Sequence, residues 1–289
     1  MLKIQPNWQK RRVIYFATIV LLLVLLVGLM ILRKPIGDYS DPSGPFYKGD
    51  YANTPGQFDG SLRVVTWNLH YAEKLDEVIS ALENAKQLQD ADVLLLQEVN
   101  LKGVEAIAQK LHDNYVYYPA AYHRERREEY GNAILTKWPI TDPEKLALPN
   151  WLPGWLESRN AAKTRISVGE REILVYSVHL DVFWMVPGWV KSQGEFLVEE
   201  ASNEDAFVIQ GGDYNTWNAG SIAVLEKEYS EAGLERLTTG TGYTFESSVL
   251  KLTLDHIFST EVNAYQSGVY RHTDASDHFP VWADILFKW

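Results

Sequence analysis

Four short polar clusters close apolar, strand-like runs in this chain, Trp67-Asn68, Gln97-Glu98, His179 and Gly212-Asp213-Tyr214-Asn215, and a fifth, Ser276-Asp277-His278, stands just before a closing strand. The last sets a carboxylate suited to a hard metal beside an imidazole that can act as a general base. In Leu94-Leu95-Leu96-Gln97-Glu98-Val99 a carboxylate ends a fully aliphatic run, where burial is costly unless the charge is paired or holds a metal. The chain has no cysteine. Oxygen donors without thiolates suit Mg²⁺, with Mn²⁺ as the alternative, rather than structural zinc. Asn68 ends another run with an amide able to orient a metal-bound oxygen. His179, at the end of Ser177-Val178, is a candidate phosphate contact or proton donor. The glycines before Asp213 permit tight backbone approach, while Asp213 and Asn215 project from a turn. Asp255, inside the apolar Leu254-Asp255-His256-Ile257-Phe258, needs a partner, and an imidazole is a natural one. This assigns Asp277 to the metal and makes His278 the base, held in its useful tautomer by Asp255. Singly, each residue also has a plainer reading: Glu98 as an exposed loop acid, Asn68 and Asp213 as turn formers, His179 as a satisfied structural residue.

In order along the chain, TWN, LLLQEV, GNAILTKWPI, SVHLD, GGDYNTW, LDHIF and SDHFPV resemble the motif series of the endonuclease/exonuclease/phosphatase superfamily. That superfamily includes DNase I-like nucleases, inositol polyphosphate phosphatases and neutral sphingomyelinases. The resemblance spans about 62–289. It implies an α/β (α+β) four-layer sandwich, with two mixed sheets packed face to face, helices outside, and the site at one edge. By motif, Glu98 resembles the principal Mg²⁺ ligand, with Asn68 beside it and Asp277 as a second metal position. His278, oriented by Asp255, resembles the general base. Asp213 and Asn215 resemble the pair that positions water and stabilises the transition state, and His179 the imidazole that contacts the scissile phosphate. Arg159 resembles an arginine gripping a phosphate oxygen. Asn132 resembles a residue that orients His179, with a strand-start role as the equal alternative. His70 stands where some relatives carry an acidic metal-shell residue.

The elements that must position these groups alternate along the chain. Strands are expected at 62–67, 92–97, 116–119, 133–136, 162–168, 172–179, 206–210, 254–258 and 281–287. Helices are expected over Lys74–Leu88, near Val104–Leu111, and about 192–201 and 219–229.

Bulk properties bound the function. Apolar residues make up 46% of the 289, enough for a sizeable core. The formal net charge is −11, and setting aside the six cations of residues 1–37, which hold no acid, leaves −17 on the rest. A domain this acidic lacks the footprint of a processive nucleic-acid binder and favours a small phosphoester or lipid head group.

Val13 to Leu32 is 20 residues without a charge, long enough as a helix to span a bilayer core. It is expected to be an uncleaved transmembrane anchor, with a signal peptide as the competing reading. Four cations before the span and two after it place the N-terminus in the cytoplasm and the catalytic part outside. The domain plan is therefore a basic tail over 1–12, an anchor over 13–32, a linker over 33–60 without helix or strand, and the catalytic domain over 61–289. Two Trp-rich loops, 151–156 and 183–190, flank site motifs. They are expected to wall the pocket or to dip into a membrane interface, the plainer reading being loops folded back on the core. The function expected is a membrane-anchored Mg²⁺ phosphoesterase. An extracytoplasmic nuclease and a catalytically silent binding module are the alternatives.

Overall fold

The aliphatic runs become the central strands of two mixed sheets because each run is buried on both of its faces. The computed structural model describes residues 8–32, 39–53, 56–123, 125–149, 157–182, 188–204, 206–260 and 262–287. In chain order the first elements are α1 (Trp8–Leu32), β1 (Tyr47–Gly49), β2 (Ser61–Asn68), α2 (Leu75–Asn84), β3 (Val93–Val99) and α3 (Leu101–Leu111). Next come β4 (Asn114–His123), β5 (Glu128–Thr136), β6 (Ile140–Ala147), β7 (Asn160–Val168), β8 (Arg171–His179), α4 (Trp189–Ser202), β9 (Phe207–Asp213) and α5 (Ala219–Glu231). The chain finishes with β10 (Glu235–Arg236), β11 (Phe245–Glu246), β12 (Lys251–Leu252), β13 (Asp255–Ser259), β14 (Val262–Val269) and β15 (Val281–Phe287).

One sheet has the order β1-β4-β5-β3-β2-β15-β14 and the other β10-β13-β9-β8-β7-β6, with β11 and β12 forming a separate hairpin. β2 and β3 run parallel, as do β8 and β9. Alternation along the strands builds four layers. Leu62, Val64, Val93 and Leu95 meet Ile173, Val175, Ile209 and Ile257 in the core between the sheets. Val65, Trp67, Leu94 and Leu96 pack with Val78, Leu82 and Ile107 of α2 and α3. Leu174, Tyr176, Val178 and Val208 pack with Leu197 of α4 and Leu225 of α5. Helix starts follow local chemistry: Asn100 accepts from Gly103 N to cap α3, and Asn218 forms a capping box on α5.

Six strands lie where the sequence reading placed none: β1, β6, β14 and the two-residue β10, β11 and β12. The 33–60 linker is not free of structure, because β1 pairs antiparallel with Tyr115–Tyr117. Its aromatics explain this: Tyr47 stacks on Tyr117 at 6.0 Å and Tyr51 on Tyr115 at 6.2 Å. β6 carries Pro143, which an edge strand tolerates where the register shifts between Thr141 and Glu144. β14, the opposite edge strand of the first sheet, pairs with β15. Helix α2 stops at Asn84 rather than Leu88, since Ala85 turns extended and Leu88 reaches the same core from a turn.

Residues Trp8–Leu32 form a single helix of 25 residues. Among the described residues no helix is long and apolar enough to cross a membrane, so the transmembrane span expected at 13–32 is not established by the fold. The large apolar side chains from Ile14 to Leu25 are nonetheless 42–70% exposed.

Gly212 shows how closely the neighbouring strands β8 and β9 of one sheet approach. A Cβ there would lie 1.9 Å from the Val178 carbonyl oxygen on the neighbouring strand. Gly212→Ala is therefore expected to destabilise the domain by about 3 kcal/mol, the upper end of ordinary overpacking. Thermal unfolding measures this, and an unchanged Tm would mean that β8 and β9 do not approach so closely.

Candidate active site

Strand ends from both sheets converge on one edge. Asn68 ends β2, in register with Gln97 of β3. His179 at the end of β8 is paired with Asp213 at the end of β9, and Asp213 is paired with Asp255 at the start of β13. Glu98 reaches this edge through a bulge. The β3–β5 register shifts between Leu96 and Val99, and Glu98 takes φ +49°, a left-handed conformation that a non-glycine residue adopts at a cost. Gln97, by contrast, points into a buried cross-sheet network, donating to Ser177 Oγ at 2.9 Å and Leu95 O at 2.9 Å. The bulge thus separates a structural amide from a carboxylate that faces the site.

His278 comes from the loop before β15 and is bridged to Phe245 of β11. Its Nδ1 lies 2.9 Å from Asp255 Oδ2, so the buried carboxylate holds the proton on Nδ1. Nε2 then looks toward Asp213 Oδ2 at 3.7 Å. Burial pulls the His278 pKa down, but the Asp255 and Asp213 carboxylates and the Asp255 hydrogen bond outweigh it and hold the value up. Thr244 completes the support: its hydroxyl donates to Asp255 Oδ2 at 2.5 Å and accepts from the N–H groups of Leu254 and Asp255. Trp67 Nε1 donates to the His278 carbonyl at 2.9 Å.

The second imidazole has the opposite bias. Arg159 Nη1 lies 3.2 Å from His179 Nδ1, and a guanidinium can only donate. Nδ1 is therefore the acceptor, and the neutral ring carries its proton on Nε2. Burial, then the charges of Arg159 and His278, keep the His179 pKa well below the usual imidazole value. Its Nε2 faces Asp213 Oδ2 at 3.6 Å and Glu98 Oε1 at 3.8 Å, too far for hydrogen bonds. Asp213 also receives Asn68 Nδ2 at 3.1 Å and the backbone N–H of Asn215 at 2.9 Å, and burial raises its pKa. Asn215 adopts φ +51° and donates through Nδ2 to Leu180 O. Glu98, Arg159, His179, Asp213, Asn215 and His278 are among the residues that line a cavity of about 440 Å³.

Two expected positions lie differently. Asn132 is buried, with Nδ2 donating to Asn160 Oδ1 at 2.8 Å, so among the described residues its amide braces the start of β7 and makes no hydrogen bond to His179. Asp277, expected at the metal, instead binds His70 Nδ1 at 3.1 Å, and His70 comes within 4.0 Å of Glu73. Its carboxyl lies below the usual range: the His70 hydrogen bond and the nearby His278 charge outweigh burial, which is the largest single influence and acts in the opposite direction. The Trp-rich loop 151–156 and residues 183–187 of the other lie outside the described residues. Thr244 and Phe245 were not singled out from the sequence. Their only signal was a Thr- and Gly-rich segment that reads as loop, and the contacts that recruit them span more than 10 residues.

The donors suit a hard divalent cation. Asp213, Asp255 and His278 each offer a ligand atom within 4.8 Å of the others. Because His278 Nδ1 and Asp255 are already bound to each other, the oxygens best placed for a cation are those of Glu98 and Asp213, with the Asn68 amide behind them. Among the described residues the Glu98 carboxylate makes no hydrogen bond, and its one ionisable partner within 4 Å is His179. A partly buried carboxylate in that state suits a hard cation.

A four-layer α/β sandwich whose strand ends present two opposed imidazoles, carboxylates and a buried arginine is the architecture of a phosphoester-handling protein. The chain belongs to the Endonuclease/Exonuclease/phosphatase family, whose model matches residues 65–278. It is 26% identical over 231 residues to a UPF0294 protein of Vibrio cholerae and 25% identical over 228 residues to one of Vibrio campbellii, covering 77% of each chain in both cases. Its fold is shared with an endonuclease/exonuclease/phosphatase family protein from Leptotrichia buccalis, with TM-score 0.62 and 19% identity over 78% of this chain and 100% of that one. Truncated Caenorhabditis elegans TDP2 gives TM-score 0.61 and 17% identity over 78% and 97% of the two chains. Sphingomyelinase C from Streptomyces griseocarneus gives 0.60 and 16% over 78% and 99%.

Proposed function

We propose that this protein is a divalent-cation-dependent phosphoesterase, with Mg²⁺ as the expected ion and Mn²⁺ as its substitute. The observation that carries this reading is the convergence of two imidazole Nε2 atoms of opposite character on Asp213, in a cavity that also holds Glu98 and Arg159. His278 Nε2, its partner nitrogen tied to Asp255, takes the proton of an attacking water. Asp213 and Asn215 position that water. His179 Nε2–H and Arg159 hold non-bridging phosphate oxygens. Glu98, with Asn68 beside it, would hold the cation, whose charge would offset that of the phosphate and of the leaving oxygen. The water oxygen forms the new bond to phosphorus while the ester oxygen leaves.

A phospholipid or small phosphoester is favoured over a polynucleotide by the −17 charge of residues 38–289. The nuclease reading is kept as the second because one fold neighbour, Danio rerio TDP2, is seen with a single-strand DNA product. For the cation, Glu98→Ala is expected to weaken Mn²⁺ binding measured by calorimetry and to lower turnover of a phosphodiester panel by about 10²–10³, as loss of an electrostatic stabiliser does. Chelation should abolish turnover and Mg²⁺ should restore it. Full activity in chelator would remove the cation from the mechanism.

The uncharged run over 13–32 and the exposure of Ile14 to Leu25 support reading α1 as a membrane tether that leaves the catalytic domain on the extracytoplasmic side. Full-length protein should remain with membranes through an alkaline carbonate wash, whereas release into the supernatant would reject the tether.

A further inference from the structure

Half of the residues that line the catalytic cavity form an apolar wall. It is formed by Val182, Trp217, Phe245, Leu250, Leu252 and Leu254. Four of these come from the β11–β12 hairpin and the residues just after it, where Leu250-Lys251-Leu252-Thr253-Leu254 alternates. The leucines line the cavity, whereas Lys251 pairs with Glu246 at 2.9 Å and Thr253 bonds Gly242 O. The hairpin is fastened to the catalytic loop, with Glu246 N donating to Asp277 O at 3.0 Å and Phe279 N donating to Thr244 O at 2.6 Å. It is a fixed wall, held in the same frame as His278.

This wall spends apolar surface on solvent. Trp217 is 42% exposed, Leu250 49% and Val249, at the hairpin tip, 82%. Thr216, the neighbour of Trp217, lines a second cavity of about 490 Å³ whose walls include Val190, Val224 and Leu225. Among the described residues lining the catalytic cavity, Arg159 is the one lysine or arginine, and it is buried. That supply of positive charge matches a single phosphoester and not a chain of phosphates. Exposed apolar side chains gathered at a catalytic mouth mark a ligand surface.

We infer that this wall is a subsite for the non-reacting part of the substrate, and that the preferred substrate is a phosphoester carrying a hydrocarbon chain seated against Trp217, Leu250 and Leu252. The inference rests on the phosphoesterase reading for which end of the ligand enters first. It is tested by binding, so that the two can fail separately.

Calorimetric titration of the full-length protein with n-alkylphosphonates from methyl to octyl, kept below their micellar range, reads the subsite directly. Affinity should rise about 4-fold per methylene over the first several carbons, the fold-change for burying a CH₂. In the Trp217→Ala/Leu250→Ala variant, checked by thermal melting to be folded, octylphosphonate should bind no tighter than methylphosphonate. A flat series in the unaltered protein, a gradient that survives in the variant, or tighter binding of a nucleoside monophosphate than of octylphosphonate would each overturn the subsite. Turnover of alkyl p-nitrophenyl phosphodiesters separates the two claims. A binding gradient without turnover keeps the subsite and sinks the phosphoesterase, whereas equal kcat/KM at every chain length keeps the phosphoesterase and sinks the subsite.

Discussion

His278→Ala is expected to lower kcat on any phosphoester substrate by about 10²–10⁴, the contribution of a positioned general base. The loss should fall on kcat rather than KM, because Nε2 acts on the attacking water and not on the bound phosphate. Asp255→Asn tests the same proton from the other end. A neutral amide at that position no longer fixes the Nδ1 proton, since the Asn oxygen and nitrogen can each face the ring. The 2.5 Å bond from Thr244 then decides the amide's orientation: the hydroxyl already accepts two backbone N–H groups and donates to the residue at position 255. The donated proton calls for the amide oxygen at the Oδ2 position, which also lies 2.9 Å from His278 Nδ1, and sets NH₂ at the Oδ1 position, 3.1 Å from the same nitrogen. The amide carries no charge to stabilise the imidazolium that forms when His278 takes a proton from water, and its N–H groups crowd the Nδ1 proton. Asp255→Asn should therefore lower kcat toward the level of His278→Ala while leaving the fold intact. Full activity in both variants, measured against the same phosphodiester panel, would displace His278 from the role of base.

Trp67→Ala is expected to cost about 3–5 kcal/mol of stability, the range for deleting a large buried aromatic side chain. Trp67 is fully buried in the core between the first sheet and helices α2 and α3. Its indole also donates to the His278 carbonyl, so the change should loosen the base as well as the core. Trp67→Phe separates the two contributions. It keeps most of the packing but leaves the carbonyl without its partner, for a cost of about 1–3 kcal/mol. Movement of the His278 loop by as much as 1 Å would lower kcat by up to about 10²-fold. Chemical denaturation and steady-state kinetics on both variants provide the check. A Trp67→Phe variant with native stability and native kcat would mean that the indole–carbonyl bond does not hold the loop.

The Glu98 segment shows where sequence reading stops. Leu94-Leu95-Leu96-Gln97-Glu98-Val99 announces a buried strand with a polar end, because period-two burial and the cost of an unpaired carboxylate are local rules. Which of the two polar residues serves the site depends on the bulge opposite β5 and on the left-handed backbone of Glu98. A bulge is a property of two strands, and one strand's sequence does not contain it. Asn132 makes the same point in reverse. The family resemblance suggested that it orients His179, with a strand-start role as the equal alternative, and its partner is Asn160, 28 residues away in sequence. Asp277 was legible as a carboxylate beside the base, but its pairing with His70 spans 207 residues.

Thr244 and the apolar hairpin wall were not legible. A threonine in a Gly-rich stretch carries no signal of a buried acceptor, and Leu250-Lys251-Leu252-Thr253-Leu254 reads as any half-buried strand. Only the fastening of that hairpin to the His278 loop turns its leucines into the wall of a cavity.

The sequence by itself determined the helices and the central strands of both sheets, the all-oxygen-and-imidazole donor chemistry, the acidic balance and the family. Each of these follows from residue type and short-range spacing. The tertiary structure decided which nitrogen of each histidine carries the proton, which carboxylate stands unpaired, and what lines the cavity with the reactive groups. Those outcomes rest on hydrogen bonds and packing between segments far apart in the chain, whose geometry is set only when the two sheets close on each other.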